Sequence, residues 1–245
     1  MAGAGVLLGP GTNIYRNSQC GRNFEYFGED PFLAGEVASA YIKGVQSMGV
    51  MACIKHFAGN EKEDGKTTGD TRVTERALRE IYLTAFEIAV KESNPWTVMN
   101  AYNKLNGTYC AENKWLLTDV LRDEWGYKGV VVTDWGAENE IVDGIKAGKN
   151  LEMPSSGGLG PQKIIKAVES GELDVNVLDK NVDTILELIL KGAENLHTDY
   201  NCDLKENHRL ARKIASESMV LLKNTDDILP LDKSKKIAFI GEMAK

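Results

Sequence analysis

Short apolar runs alternate along this chain with longer segments in which apolar residues recur every three or four positions. The runs are Val6-Leu-Leu-Gly-Pro10, Val50-Met-Ala-Cys-Ile54, Trp96-Thr-Val-Met-Asn-Ala-Tyr102, Gly129-Val-Val-Val-Thr133 and the shorter Asn150-Leu-Glu-Met-Pro154. Continuous aliphatic runs of this length suit strands buried on both faces, as in a parallel sheet. Between the first two, Leu33, Val37, Tyr41 and Val45 share a four-residue spacing. That spacing predicts a helix with those residues on one face, Asp30 as its cap and Pro31 at its first position. Leu78, Ile81, Tyr82, Phe86 and Ala89 predict a second helix over residues 75–92. Leu116, Leu117, Val120 and Leu121 predict a third, from a cap at Asn113 to a stop at Gly126. A fourth helix, about 138–147, ends at Gly148, and Asp174 caps a fifth that carries Val177, Leu178, Val182, Ile185, Leu186 and Ile189. Another helix covers roughly 206–223, and Lys236-Ile-Ala-Phe-Ile-Gly241 predicts one more strand.

Strands alternating with amphipathic helices imply βα units and a parallel sheet. Five such units in the first part of the chain match the spacing of a (β/α)8 TIM-barrel-like domain, roughly 30 residues per unit. The fold class expected is therefore α/β, a TIM-barrel-like domain that is incomplete because five strands are visible where a barrel has eight. The expected division is a barrel part over 1–200, a linker and helix over 201–235, and the start of a second α/β domain over 236–245.

A hydrophobic content of 42% and a charged content of 27% are ordinary for a globular protein. The net charge of -7 and the lack of a basic run argue against a nucleic-acid partner. No apolar run reaches the roughly 18 residues that cross a membrane, and the first residues lack the pattern of a signal peptide. The expected location is therefore cytoplasmic, for a chain whose start looks truncated. Cys20, Cys53, Cys110 and Cys202 form no CxxC pair, so buried reduced thiols are expected rather than a zinc site or a disulfide framework. The glycines at the start do not make a dinucleotide loop, because the third position of a GxGxxG motif falls on Leu8 and the glycines precede the strand.

Chemistry concentrates where the predicted strands end. Asp134 directly follows the run 129–133, at the strand end that lines the active site of an α/β barrel. There it is placed to act as a nucleophile or base, or to cap the next helix. Trp135 beside it offers a wall for stacking or simply packs. Lys55 after a buried strand requires an anionic or hydroxyl partner, and it also admits a Schiff-base role in an aldolase-like barrel enzyme. His56 reads as a site residue or a satisfied core histidine, and Met99 as a site residue or core. Arg22 has a surface pairing with Glu25 or Glu29 as its plain alternative.

Taken in order, Gly21-Arg-Asn-Phe-Glu25, Lys55-His-Phe57, Met99-Asn-Ala-Tyr-Asn103, Val132-Thr-Asp-Trp135 and Leu151-Glu-Met-Pro154 make the chain resemble glycoside hydrolase family 3, in its β-glucosidase and β-xylosidase branch. The tail Glu217-Ser-Met-Val-Leu-Leu-Lys-Asn224 resembles that family's lead-in to its second domain. The resemblance implies a retaining exo-β-glycosidase that needs no cofactor or metal. It implies Asp134 as nucleophile, with Arg22, Lys55, His56, Met99, Tyr102 and Trp135 around the terminal sugar. The implied substrate is a β-linked oligosaccharide or an aryl or alkyl β-glucoside. It also implies that the acid/base carboxylate and one sugar-gripping aspartate lie outside these residues. Glu61, Glu63 and Asp64, on a loop expected to be mobile and solvated, are the acid/base candidates within the chain. The β-N-acetylglucosaminidase branch is disfavoured, because its loop histidine is replaced in Lys55-His-Phe-Ala-Gly-Asn-Glu61. The competing expectation is a catalytically incomplete fragment. It would bind sugar, self-associate or need a complementary chain through open sheet edges.

Overall fold

The structure, a computed structural model, describes residues 5–195 and 202–242. The chain divides into two compact units, Met1–Thr198 and Asp199–Lys245. Residues 196–201 at the expected boundary, Gly3, and 243–245 of the expected second-domain start lie outside the described residues.

The first unit is built on four parallel strands. In space their order is β1 (Val6–Leu7), β2 (Met51–Phe57), β4 (Thr97–Asn100) and β7 (Val130–Thr133). The expected fifth strand is reduced to one parallel bridge, Val132 to Leu151. A small sheet of β3 (Asp70–Thr71), β5 (Lys104–Leu105) and β6 (Thr108–Tyr109) lies on the loops that follow β2 and β4.

Alternation along the central strands sorts two cores. Ala52, Ile54, Val98 and Val131 join the main cluster with Ala38, Ile42, Phe86, Leu117 and Leu121 from the flanking helices. Cys53, Met99 and Val132 form a separate cluster on the opposite face, with Val6 and Met153 against it. Both faces are covered, which is why the runs read as continuously apolar.

The helices follow their caps more closely than their stripes. In the helix Pro31–Gln46, the Asp30 carboxylate accepts from the backbone N–H groups of Phe32 and Leu33. Its buried face, however, is Ala34, Gly35, Ala38, Ser39 and Ile42, while Leu33, Val37 and Tyr41 are exposed. The expected face is thus corrected by about one residue. The helix docks through its small side chains, and a Cβ on Gly35 would lie 2.8 Å from the Ile88 Cβ. Over 75–92 the expected single helix is divided into Glu75–Ala77, a π-helical turn Leu78–Tyr82 and Thr84–Ser93. Leu83 donates to the Leu78 carbonyl at 2.7 Å, and this inserted residue buries Leu83 and turns Ile81 outward. Asn113 Oδ1 accepts from the Leu116 N–H at 3.1 Å, and Asp174 Oδ1 accepts from the Asn176 N–H at 2.8 Å, so both predicted caps form. The helix after β7 is Ile141–Ala147, shorter than expected, and it ends at Gly148 with φ 101°.

In the second unit a helix, Leu204–Glu217, is capped by Asp203. Residues 236–241, expected as a strand, form none among the described residues. Cys20, Cys53 and Cys110 are buried and free, whereas Cys202 is exposed, contrary to the expectation of burial; it lies just before a fully exposed helix.

Candidate active site

The C-terminal ends of β2, β4 and β7 point the same way because the strands are parallel, with one irregularity in the β2–β4 pairing between Ile54 and Phe57. Lys55 and His56, then Asn100 to Tyr102, and then Asp134 and Trp135 therefore gather at one edge. Two bonds join the last two strand ends. The Asp134 N–H donates to the Asn100 carbonyl at 3.3 Å, and the Tyr102 hydroxyl donates to the Trp135 carbonyl at 2.6 Å.

Asp134 is 7% exposed. Its Oδ1 accepts from the Trp135 N–H at 2.7 Å, and its Oδ2 has no protein hydrogen-bond partner among the described residues. The helix-cap reading fails, because the next helix begins at Ile141, seven residues on, and its cap position is Glu140. Burial raises the carboxyl pKa above the usual range; the Trp135 N–H and the charges of Arg22, Lys66 and Lys55 pull against that rise.

His56 Nε2 lies 3.5 Å from Asp134 Oδ2. This is not an ion pair. The ring is 1% exposed, and burial, followed by the cations Arg22, Lys55 and Lys66, lowers its pKa to about 2. The neutral ring has Tyr26 Oη at 3.3 Å and Asn13 Oδ1 at 3.4 Å from Nδ1. A ring proton on Nδ1 would leave a lone pair facing the Asp134 carboxylate. With the Tyr26 hydroxyl donating to Nδ1, the proton sits on Nε2 and faces that carboxylate instead.

Arg22 and Lys55 meet on Glu25. The Arg22 guanidinium pairs with Glu25 Oε1, and Lys55 Nζ lies 3.2 Å from Oε2. Burial raises the Glu25 pKa, but hydrogen bonds from Arg22 and then the charge and hydrogen bond of Lys55 outweigh it, and the net direction is downward. The plain alternative for Arg22, a pairing with Glu25, is thus realised, at a half-buried place beside Lys55. The same pairing keeps the Lys55 amine engaged, which disfavours the Schiff-base reading, since that chemistry starts from a free neutral amine.

Met99 packs in the buried cluster with Cys53 and Val132 and is 2% exposed. Trp135 presents its indole to solvent at 45% exposure. Lys66 Nζ stands 5.0 Å above the Tyr102 ring, and Tyr102 has its pKa raised by burial and then by the Asp134 charge.

Three residues near the site are not evident from the motifs, Tyr26, Lys66 and Asn13, while Glu61, an acid/base candidate in the sequence, is found here as a buried partner of Asn13. The first two reach it from loops without periodicity, so only the fold brings them in. The loop expected to be solvated is corrected at its start: Asn60 and Glu61 are buried, because the chain turns inward directly after β2. Asn13 Nδ2 donates to the His56 carbonyl at 3.0 Å and to Glu61 Oε1 at 3.1 Å, while its Oδ1 accepts from the His56 N–H at 2.7 Å. Glu63 pairs with Lys66 at 2.7 Å. Among the described residues no group of three or more His, Cys, Asp or Glu is arranged to hold a metal ion.

Parallel βα units with a buried carboxylate, cations and an exposed indole at the C-terminal strand ends define a partial TIM-barrel-like domain carrying a polar site. The chain belongs to glycosyl hydrolase family 3: residues 2–188 match the model of that family's N-terminal domain. It is 57% identical over 240 residues to thermostable beta-glucosidase B of Acetivibrio thermocellus, covering 98% of this chain and 32% of that protein. It is 46% identical over 250 residues to an exo-alpha-(1->6)-L-arabinopyranosidase of Bifidobacterium breve, covering 98% of this chain and 33% of that protein. Beta-glucosidase 3B of Thermotoga neapolitana, solved in complex with glucose, superposes with a TM-score of 0.87 at 48% identity, over 93% of this chain and 33% of that one. The chain thus spans about a third of the length of these relatives.

Proposed function

We propose that the protein carrying this chain is a retaining exo-β-glycosidase of β-glucosidase type, acting on terminal β-D-glycosyl residues with Asp134 as nucleophile. The observation that supports this most is the Asp134 carboxylate: fixed by the Trp135 N–H through one oxygen, and at the other without a hydrogen-bond partner among the described residues, 3.5 Å from His56 Nε2. The names of the relatives, beta-glucosidases among them, support the substrate class.

In this reading the free Oδ2 attacks the anomeric carbon and forms a covalent glycosyl–enzyme, which water then hydrolyses. Neutral His56 donates from Nε2 to a sugar hydroxyl and leaves the nucleophile charged. Arg22 and Lys55, held by Glu25, donate to sugar hydroxyls, Tyr102 anchors the strand end, and Trp135 supplies an apolar face for sugar C–H groups. Met99 supports the site from the buried cluster with Cys53 and Val132. Retaining enzymes place a second carboxyl about 5–5.5 Å from the nucleophile. The nearby candidates are already engaged: Glu25 with Arg22 and Lys55, Glu61 with Asn13, and Glu63 with Lys66. As the family resemblance implies, the acid/base is assigned to a part of the protein outside these 245 residues.

In the complete protein, Asp134→Asn should lower kcat on an aryl β-glucoside by about 10⁴-fold or more. Intact mass after incubation with a 2-deoxy-2-fluoro aryl β-glucoside should show one sugar adduct on the Asp134 peptide. Near-normal turnover of the variant overturns the assignment. The arabinopyranosidase relative motivates a second substrate reading, because an α-L-arabinopyranoside has the ring and anomeric geometry of a β-D-galactoside without C6. A panel of aryl glycosides separates the two by kcat/KM.

A further inference from the structure

We infer that Asn13 and Glu61 are positioning residues for His56, forming a buried clamp that sets where its ring stands against Asp134. The inference rests on the glycosidase reading above and adds to it two residues that touch neither sugar nor nucleophile.

The amide of Asn13 is used to capacity. Its oxygen accepts the His56 N–H, one amide hydrogen goes to the His56 carbonyl and the other to Glu61 Oε1. Asn13 is 1% exposed and Glu61 6%. Asn13 therefore holds both backbone polar groups of a residue near the end of β2, a place where the regular pairing with β4 has just become irregular. A side-chain amide can turn over, exchanging oxygen and nitrogen. The turned amide would set NH2 against the His56 N–H and oxygen against both the His56 carbonyl and Glu61. The His56 N–H and carbonyl already favour the observed orientation, and Glu61, an acceptor at Oε1, reinforces it by holding the second amide hydrogen. Grip on the backbone fixes the ring, because Tyr26 already defines its other side through Nδ1. A displacement of about 1 Å at such a residue can cost on the order of 10²-fold in rate.

The test is a double-mutant cycle in the complete protein, with kcat, KM and inhibition by glucose as readouts and thermal melting as a check on folding. Asn13→Ala should lower kcat/KM by about 10²-fold and weaken glucose inhibition, and in a His56→Ala background the same change should have little further effect. Equal, additive losses in both backgrounds overturn the inference, because they would mean that Asn13 acts through general stability or another group. Should Asn13→Ala fail to fold, a charge exchange decides. Asn13→Asp alone sets two acids side by side and should lose activity. Adding Glu61→Gln restores a donor toward position 13, whose new carboxylate still accepts the His56 N–H while the His56 carbonyl stays without its donor, so activity should recover in part; no recovery overturns the inference. Asp134→Asn in the same series keeps the two claims apart. An inactive Asp134→Asn with an additive Asn13 cycle overturns the clamp alone, whereas an active Asp134→Asn overturns the glycosidase assignment and the clamp with it.

Discussion

Asp134 is held in tension between burial, which favours its acid form, and three cations, which favour the carboxylate. Lys66 is the cation easiest to remove without disturbing the Arg22–Glu25–Lys55 cluster. Lys66→Gln should raise the Asp134 pKa further, moving the acid limb of the kcat/KM profile to higher pH; an unmoved limb would show that Lys66 does not act on Asp134. His56 and Glu61 oppose each other in stability. His56, lowered to about 2, excludes a proton that the unfolded chain binds below about pH 6.5, so it makes stability rise with pH. Glu61, raised to about 7 by burial, keeps a proton that the unfolded chain loses above about pH 4.5, so it makes stability fall with pH. The two effects cancel between about pH 4.5 and 6.5. Glu61→Gln leaves the His56 slope exposed: relative to the parent, the variant should gain roughly 1 kcal/mol per pH unit from pH 4.5 to 7, read by denaturant unfolding. At this scale Lys55, His56, Asp134 and Trp135 were legible in the sequence because they stand at the ends of apolar runs, whereas Arg22 was legible only through the family motif Gly21–Glu25. Asn13, Tyr26 and Lys66 were not legible, since what defines them is a partner far along the chain; Glu61 was legible as an acid/base candidate, but its burial against Asn13 was not.

Caps and stops were legible at the scale of elements, because Asp30, Asn113, Asp174 and Gly148 act on neighbours within a few residues. Faces were less so. The stripe Leu33, Val37, Tyr41 is a valid helical pattern, yet the helix packs through Ala34, Ala38 and Ile42 because Gly35 lets Ile88 approach. Gly35→Val should accordingly cost about 1–3 kcal/mol through overpacking. Leu33→Ser should stay within about 0.5 kcal/mol. Chemical denaturation of the two variants compares them directly, and a reversed order would restore the stripe as the docking face. The π-helical turn at Leu78–Tyr82 had no signature in the periodicity, because one inserted residue still leaves apolar positions three and four apart.

The whole molecule has a partial sheet whose outer strand, β1, is two residues long and is followed by exposed Leu8. The helix Val175–Glu194 likewise leaves Leu186, Ile189 and Leu190 exposed. Exposed apolar area on this scale, with an open sheet edge, favours association. Size-exclusion chromatography of the 245-residue chain should show self-association that weakens when Leu186 and Leu190 are both changed to Lys. A clean monomer before any change would count against open edges that recruit partners. The α/β class and the order of the units were legible because strand and helix periods alternate cleanly. The second unit was legible only as a helix: 236–241 has the composition of a strand but no described neighbour to pair with.

Of the four tryptophans, Trp125 is buried, Trp96 and Trp115 are partly covered, and only Trp135 is exposed. It is also the residue next to Asp134. Under the proposed glycosidase reading, Trp135 is a solvent-exposed fluorophore at the mouth of the site, where a docking pyranose would displace water from the indole. A sugar titration followed at the indole wavelength, with Trp135→Phe as the blank, turns occupancy of this site into light with no label attached.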